Sequence, residues 1–419
     1  MKKFWIALPI AISALTFTSC KKDKNDDGNT QTVYTAEQNK TNLQNTGISL
    51  VQDMGDMKNL ESMHAIESFN ACVNQADPFG GSSNYPLMVM GGIELAAKTN
   101  SIKPIKQTLK AGNSNTLFSN YADVVGTYTW TNGAWVKTSS NNNVVFVFPA
   151  TKNGTTNNAT FTLSATEYTG TYLDPSMEGN TPSAISADLT VSGKGSILGF
   201  DFSSTINTSG EPTKIDAAIN FTPFKFSYAF NNSGSKISKT FKFDKSTSNL
   251  ATFYVEANGT FNKTAIENFI NEEDFSKLNT VVTTASGYVK IKDIKLALSA
   301  NVADGINYYN SIGNANFDEN DAITMLNNNT SIKLTYASSD QTIATGEWYL
   351  MTNTYTDYQW DDNAQNWVEV QNTSNEPSVR IVFPDGSKSD LETYFGNGFD
   401  DLQNDIEQFF NDIETAYDM

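Results

Sequence analysis

Two cysteines, one histidine and one arginine in 419 residues deprive this chain of the side chains on which much enzyme chemistry is built. Only Cys72 follows Cys20, so once Cys20 is otherwise occupied no intramolecular disulfide can form. Cys72 lies in an apolar helical pattern, where a buried, inert thiol is the expected state. A single histidine excludes a His-rich zinc site, and there is no Cys-x-x-Cys pair. A Ser–His–Asp arrangement would have to recruit His64, whose neighbours Leu60 to Glu67 read as the flank of a helix. No Gly-rich phosphate loop ending in Gly-Lys-Ser/Thr occurs, and no Gly-x-Ser-x-Gly elbow. Carboxylate-only chemistry stays open because any two acids can converge in a fold, but no pair is singled out. The sequence therefore assigns no catalytic residue, no metal ligand and no cofactor, and it reads as a non-enzyme. Bases are also in deficit, 28 against 46 acids for a net charge of −18. Such a chain is not drawn to nucleic acid or to anionic membrane surfaces.

The most apolar run is Phe4 to Phe17, preceded by Lys2 and Lys3. It falls short of the roughly 20 apolar residues that a membrane-spanning helix needs and reads as a removable export signal. Thr18-Ser19-Cys20 comes next, with a small residue just before a cysteine, and so resembles the signal of bacterial lipoproteins. Phe17 stands where that family usually has Leu. The resemblance implies that residues 1–19 are removed and that Cys20 is lipidated, holding the chain at the outer membrane. Lys21-Lys22-Asp23-Lys24-Asn25-Asp26-Asp27-Gly28 resembles the charged export tract of Bacteroidota lipoproteins, which implies exposure at the cell surface. Read by composition alone it is a solvated tether. Over residues 1–28 the chain is thus similar to the surface-exposed outer-membrane lipoproteins of Bacteroidota. The likeness carries no activity and no site residue beyond Cys20.

The remainder predicts an α+β protein. Large antiparallel β-meander sheets are expected in two related lobes, with N-terminal and C-terminal amphipathic helices packed on them. The divisions are 1–19 signal, 20–34 tether, 35–123 helical region, 124–265 β-meander lobe, 266–394 second β-lobe with short helices and 395–419 C-terminal helix. Thr35 and Gln38 have capping-box spacing. Apolar residues from Ile48 to Val73 then recur at threes and fours, with Gly47 and Gly55 suggesting a bend. A second short helix is expected over Leu87–Lys98. Phe317 to Asn327 reads as another. Asn314, Asn316, Asp318 and Asn320 alternate oxygen ligands as calcium loops do, but the central glycine is missing and Met325 stands where a bidentate glutamate belongs. Phe395, Phe399, Leu402, Ile406, Phe409 and Ile413 form the stripe of a closing helix.

Two hairpins with tryptophan pairs stand out. Asn132-Gly133 between Trp130 and Trp135 is a strong hairpin signal, with a Phe148-Pro149 strand end after it. Near the C-terminus Trp360, a polar turn, Trp367 and Phe383-Pro384 repeat that order, which reads as an internal duplication. Trp130, Trp135, Trp360 and Trp367 could stack on sugar rings, or they could pack across their hairpins as core. Phe226 and Phe241 lie on the phenylalanine-rich side of a period-two meander that runs from Ile215 to Val255. That side is either core or a surface that carries a hydrophobic ligand. The expected role is non-enzymatic binding or scaffolding at the outer membrane. A glycan, a lipid and an envelope protein remain open as partners, with the membrane engaged through the lipid on Cys20.

Overall fold

The computed structural model describes residues 34–79, 124–139, 142–167, 182–207, 212–272, 275–312, 318–361, 365–396 and 399–417. The expected signal, Cys20, the expected tether up to residue 33 and the helix expected over 87–98 lie outside them. The architecture is α+β, with sixteen strands among the described residues, paired mainly antiparallel, and helices at both ends. Two compact units interleave along the chain. The first comprises Ser49–Ser233, Ser238–Thr252 and Asn404–Met419; the second comprises Met1–Ile48, Gly234–Ile237 and Phe253–Gln403.

Helix α1 (Ala36–Met54) opens as the sequence predicts. Thr35 N–H donates to Gln38 Oε1 at 2.9 Å and Gln38 N–H donates to Thr35 Oγ1 at 3.2 Å. This reciprocal box satisfies two N–H groups at the start of the helix. A 3-10 turn at Gly55–Asn59 then separates α1 from α2 (Glu61–Gln75), so the apolar stripe is carried by two rods broken at Gly55. In α2, Met63, Ile66, Phe69 and Cys72 are buried while His64 is exposed. Burial raises the pKa of the Cys72 thiol.

The first unit orders its strands β2-β1-β3-β4-β5-β6-β7-β8. They are β1 (Gly126–Thr131), β2 (Ala134–Thr138), β3 (Val144–Phe148), β4 (Ala159–Glu167), β5 (Pro182–Val191), β6 (Gly195–Ile206), β7 (Pro212–Phe221) and β8 (Phe224–Asn232). Strands β9 (Lys236–Lys245) and β10 (Ser248–Gly259) carry residues of both units. Asn132 and Gly133 turn with φ of 50° and 84°, the left-handed pair that a two-residue hairpin requires. The hairpin sends β2 to the sheet edge and leaves the other side of β1 to β3, which pairs with it in parallel. That pairing departs from the expected meander.

Phe69 anchors this unit. At 1% exposure it meets Phe146, Phe148, Phe161 and Trp135 with ring centroids 5.1 to 6.1 Å apart. Next to it, Ser68 Oγ donates to the Pro149 carbonyl at 2.6 Å, which fixes the helix on the end of β3. The phenylalanine side of the meander belongs to the same core: Phe221, Phe224 and Phe243 are buried in it with Met57, Leu60 and Met63 from the helical region.

The second unit contains α3 (Lys263–Glu272), β11 (Val282–Ile291), β12 (Ile294–Asn301), α4 (Val302–Ile312), α5 (Glu319–Asn329), β13 (Thr330–Tyr336), β14 (Thr342–Asp361), β15 (Asn366–Val382), β16 (Lys388–Asp390), α6 (Leu391–Gly396) and α7 (Asp400–Tyr417). Its strands run β11-β12-β13-β14-β15-β16. Leu334, Tyr336, Ile381, Phe383 and Tyr394 form the core, with Ala36 and Leu43 of α1 against it. The phenol of Tyr336 donates to Asn39 Oδ1 and accepts from Asn42 Nδ2, each at 2.8 Å, so α1 is held by hydrogen bonds as well as by apolar contact. Of the closing stripe, expected as one helix, Phe395 falls in α6, Phe399 precedes α7 and Leu402 to Ile413 lie in α7. A side chain at Gly47 would run into Leu402, so α1 and α7 come close there because glycine leaves room.

Candidate functional site

The tryptophan pairs predicted as equivalent are not equivalent in their surroundings. Trp130 and Trp135 face each other across β1 and β2 with centroids 5.1 Å apart and planes at 64°. Both are half-buried and pack against the first unit's core. Trp135 also touches Phe146 at 5.3 Å, and its indole Nε1 is buried without a hydrogen-bond partner. This is the packing of a structural residue. Phe226 stacks on Phe243 at 4.5 Å and lies 6.2 Å from Phe241, again alongside the core.

Trp360 and Trp367 repeat the pair geometry, with centroids 5.8 Å apart and planes at 73°, in a different setting. They sit near the end of an antiparallel ribbon made by β14 and β15, paired without a break from Thr345↔Val382 to Asp361↔Asn366. Strand β13 pairs with β14 only at Thr342–Thr345, and β16 pairs with β15 only at Arg380–Val382. Among the described residues, therefore, no third strand supports the ladder from Trp348↔Val379 onward. At about 3.4 Å per residue its fourteen pairs extend about 45 Å. Trp360 is 51% exposed, Trp367 64%, Tyr355 49% and Tyr358 58%.

The ribbon is fixed at its base. Asn327 at the end of α5 accepts from Trp348 N–H at 2.8 Å and donates to the Trp348 carbonyl at 2.9 Å, closing the edge of β14 where β13 stops. Trp348 Nε1 donates to Thr330 Oγ1 at 2.7 Å. Across the strands Arg380 lies over the Tyr349 ring at 4.8 Å and binds Glu347 at 3.1 Å, joined there by Lys388 at 2.6 Å. These two cations hold the Glu347 carboxyl below its usual range. Beyond the base, Thr352 Oγ1 donates to Asn375 Oδ1 at 2.8 Å and Gln371 Nε2 to Thr356 Oγ1 at 2.7 Å. Tyr358 Oη donates to Glu369 Oε1 at 3.0 Å.

Period-two alternation puts Trp360, Trp367, Tyr358, Glu369, Thr356 and Gln371 on one face of the ribbon. An aromatic end backed by hydroxyl and amide groups offers electron-rich ring faces together with hydrogen-bonding groups. The two hairpins also diverge downstream of their tryptophans. Strand β2 ends at Thr138 and β3 begins at Val144 on the other side of β1, whereas after Trp367 the polar stretch 371–378 continues as strand to Val382. The resemblance between the hairpins therefore reaches the tryptophan pair but not the connection.

Cys20, Asn314 and Asn316 lie outside the described residues. Asp318 caps α5, accepting from the N–H groups of Asn320 and Asp321. Among the described residues no cluster of three His, Cys, Asp or Glu side chains could hold a metal ion. On the polar side of β5 to β8 the sheet forms an open concavity of about 500 Å³, floored by Ala184, Ser186, Ala218 and Ser227 and bordered by Asp201 and Lys225. Comparison with protein families, with curated proteins and with solved structures finds no match for this chain.

Proposed function

We propose that this is a lipid-anchored protein of the cell envelope, held at the outer membrane through Cys20 and facing outward. It binds and does not catalyse; the β14–β15 ribbon is its contact element and a glycan is its ligand. The N-terminal signal supports the location. The observation that carries the binding role is the solvent-exposed Trp360–Trp367 pair at the end of a ribbon with no flanking strand among the described residues. Two strands alone are marginally stable in water, so a ligand that covers the aromatic end would steady the ribbon as it binds. Indole faces present negative π density to the polarised C–H groups of a sugar ring, and the neighbouring Thr356 and Gln371 suit its hydroxyls.

The test is affinity electrophoresis of the mature chain through gels containing neutral polysaccharides: starch, xylan and mannan. Retardation in at least one gel is expected, and its loss in a Trp360→Ala/Trp367→Ala variant that keeps the native circular dichroism. Unretarded migration in all three, or retardation unchanged by the double substitution, removes the ribbon as a glycan-binding element.

A further inference from the structure

The registers of β11, β12 and β13 sort their residues cleanly between two faces. One face carries Ile294, Leu296, Leu334 and Tyr336 and belongs to the core of the second unit. The other carries Lys290 on β11, Lys295 on β12 and Lys333 on β13, and its remaining positions are Tyr288, Ala297, serines, threonines and an asparagine. That face holds no acid at any of the eleven ladder positions that face across these strands, although acids outnumber bases 46 to 28 in the chain.

The lysines are close, and among the described residues none is paired with an acid. Lys290 and Lys295 are direct cross-strand partners, an opposition of like charges that destabilises a sheet. Lys333 lies diagonally from Lys295, since Lys295 pairs with Thr335 and Ala297 with Lys333. Among the described residues neither Lys290 nor Lys333 forms an ion pair, and the ammonium of Lys295 meets only the Tyr288 ring, 4.9 Å away. Neighbouring acids are occupied. Glu256 takes Lys236, Tyr254 and Ser286, and Glu347 takes Arg380 and Lys388. Asp293 accepts from the N–H and Oγ of Ser338 at 2.7 and 2.9 Å.

We infer that the sheet face bearing Lys290, Lys295 and Lys333 binds an acidic polysaccharide, whose carboxylate or sulfate groups the lysines neutralise. Charge complementarity selects the ligand class, because among the described residues none of the three cations is paired with an acid, and an unpaired cation keeps its attraction for an anion. Ala297, in line between Tyr288 and Lys333, is the smallest side chain of that row, and Ser331, two residues before Lys333, offers a hydroxyl partner. Tyr288 is the one large ring on the face and already lies under the Lys295 ammonium, and no aliphatic side chain larger than Ala297 stands beside the lysines to enter a bilayer, so a glycan fits the face better than a lipid surface. This site is separate from the ribbon and does not depend on it.

The experiment is affinity electrophoresis of the mature chain at low salt in gels containing polygalacturonate, chondroitin sulfate or uncharged dextran. Without Lys2 and Lys3 of the signal the mature chain has 26 bases against 46 acids, a net charge of −20 that opposes binding to a polyanion, so retardation reports a local site. Retardation is expected in an acidic gel and not in dextran. It should be lost in a Lys290→Gln/Lys333→Gln variant and kept in the Trp360→Ala/Trp367→Ala variant. The glutamine variant relieves the like-charge opposition, so its thermal midpoint should equal or exceed that of the native chain. The inference is overturned if neither acidic gel retards the native chain, or if the lysine variant is retarded equally. It is also overturned if that variant loses only its binding to phosphatidylglycerol vesicles, which would give the lysines to a lipid headgroup.

Discussion

Trp360 and Trp367 stand directly opposite each other in the ladder, 5.8 Å apart, and both face solvent. Trp130 and Trp135 make nearly the same pair 5.1 Å apart, but Trp135 is also pressed against Phe69 and Phe146. The geometry of the pair is set locally, by a hairpin that brings two aromatic residues to one rung. Its use is set by whatever else reaches that rung.

Substituting each pair should therefore give opposite results. Trp135→Ala removes a half-buried ring from the core and should cost about 2–3 kcal/mol. Trp367→Ala should cost about 0.5 kcal/mol, the scale of an exposed cross-strand contact. Urea unfolding of the two variants checks the difference, and equal losses would mean that the ribbon tip is structural.

Phe69 joins α2 to β3 and β4. Phe69→Ala leaves a cavity among Phe146, Phe148 and Phe161 and should destabilise by about 3–5 kcal/mol. Phe69→Leu keeps most of the volume and should recover more than half of that loss in the same unfolding measurement.

Gly259 is required by crowding. A Cβ there would overlap the carbonyl oxygen of Val281, which already accepts from Thr260 N–H at 2.8 Å. Backbone cannot step aside as a flexible side chain can, so Gly259→Ala should destabilise by about 2–3 kcal/mol. Gly193→Ala is the control for a second glycine with open space around it, although its φ of 80° adds its own strain. The Gly259 variant should have the lower thermal midpoint of the two.

Burial, with Glu37 nearby, pushes the Tyr394 phenol up from 10.0 to about 12. Because the folded state holds this proton more tightly than the unfolded chain, its contribution is intact below pH 10 and falls as pH rises toward about 12. Stability should therefore drop across that window, and Tyr394→Phe should make the drop shallower. An identical alkaline slope in the variant would rule Tyr394 out as a contributor.

Local signals in the sequence were enough for several elements. Thr35 and Gln38 set the start of α1, Gly55 marked the break before α2, and Asn132-Gly133 placed the first hairpin, because capping and turn formation involve only a few adjacent residues. Alternation from Ile215 to Phe243 likewise identified the phenylalanine side, but whether that side was core or a ligand surface stayed open until the structure set Met57, Leu60 and Met63 against it.

Contacts between residues far apart in the chain decided the rest. Gln371 to Ser378 is a polar run with every mark of a loop. It becomes strand because β14 pairs with it rung by rung and Thr352 and Thr356 bond its Asn375 and Gln371. The parallel pairing of β1 with β3, the exposure of one tryptophan pair and not the other, and the assembly of Lys290, Lys295 and Lys333 on one face arose in the same way. Composition, charge balance and local periodicity belong to the sequence alone. Which rung a residue meets and what covers its side chain depend on strand register, and register is set only when the whole sheet satisfies its backbone hydrogen bonds and buries one face together.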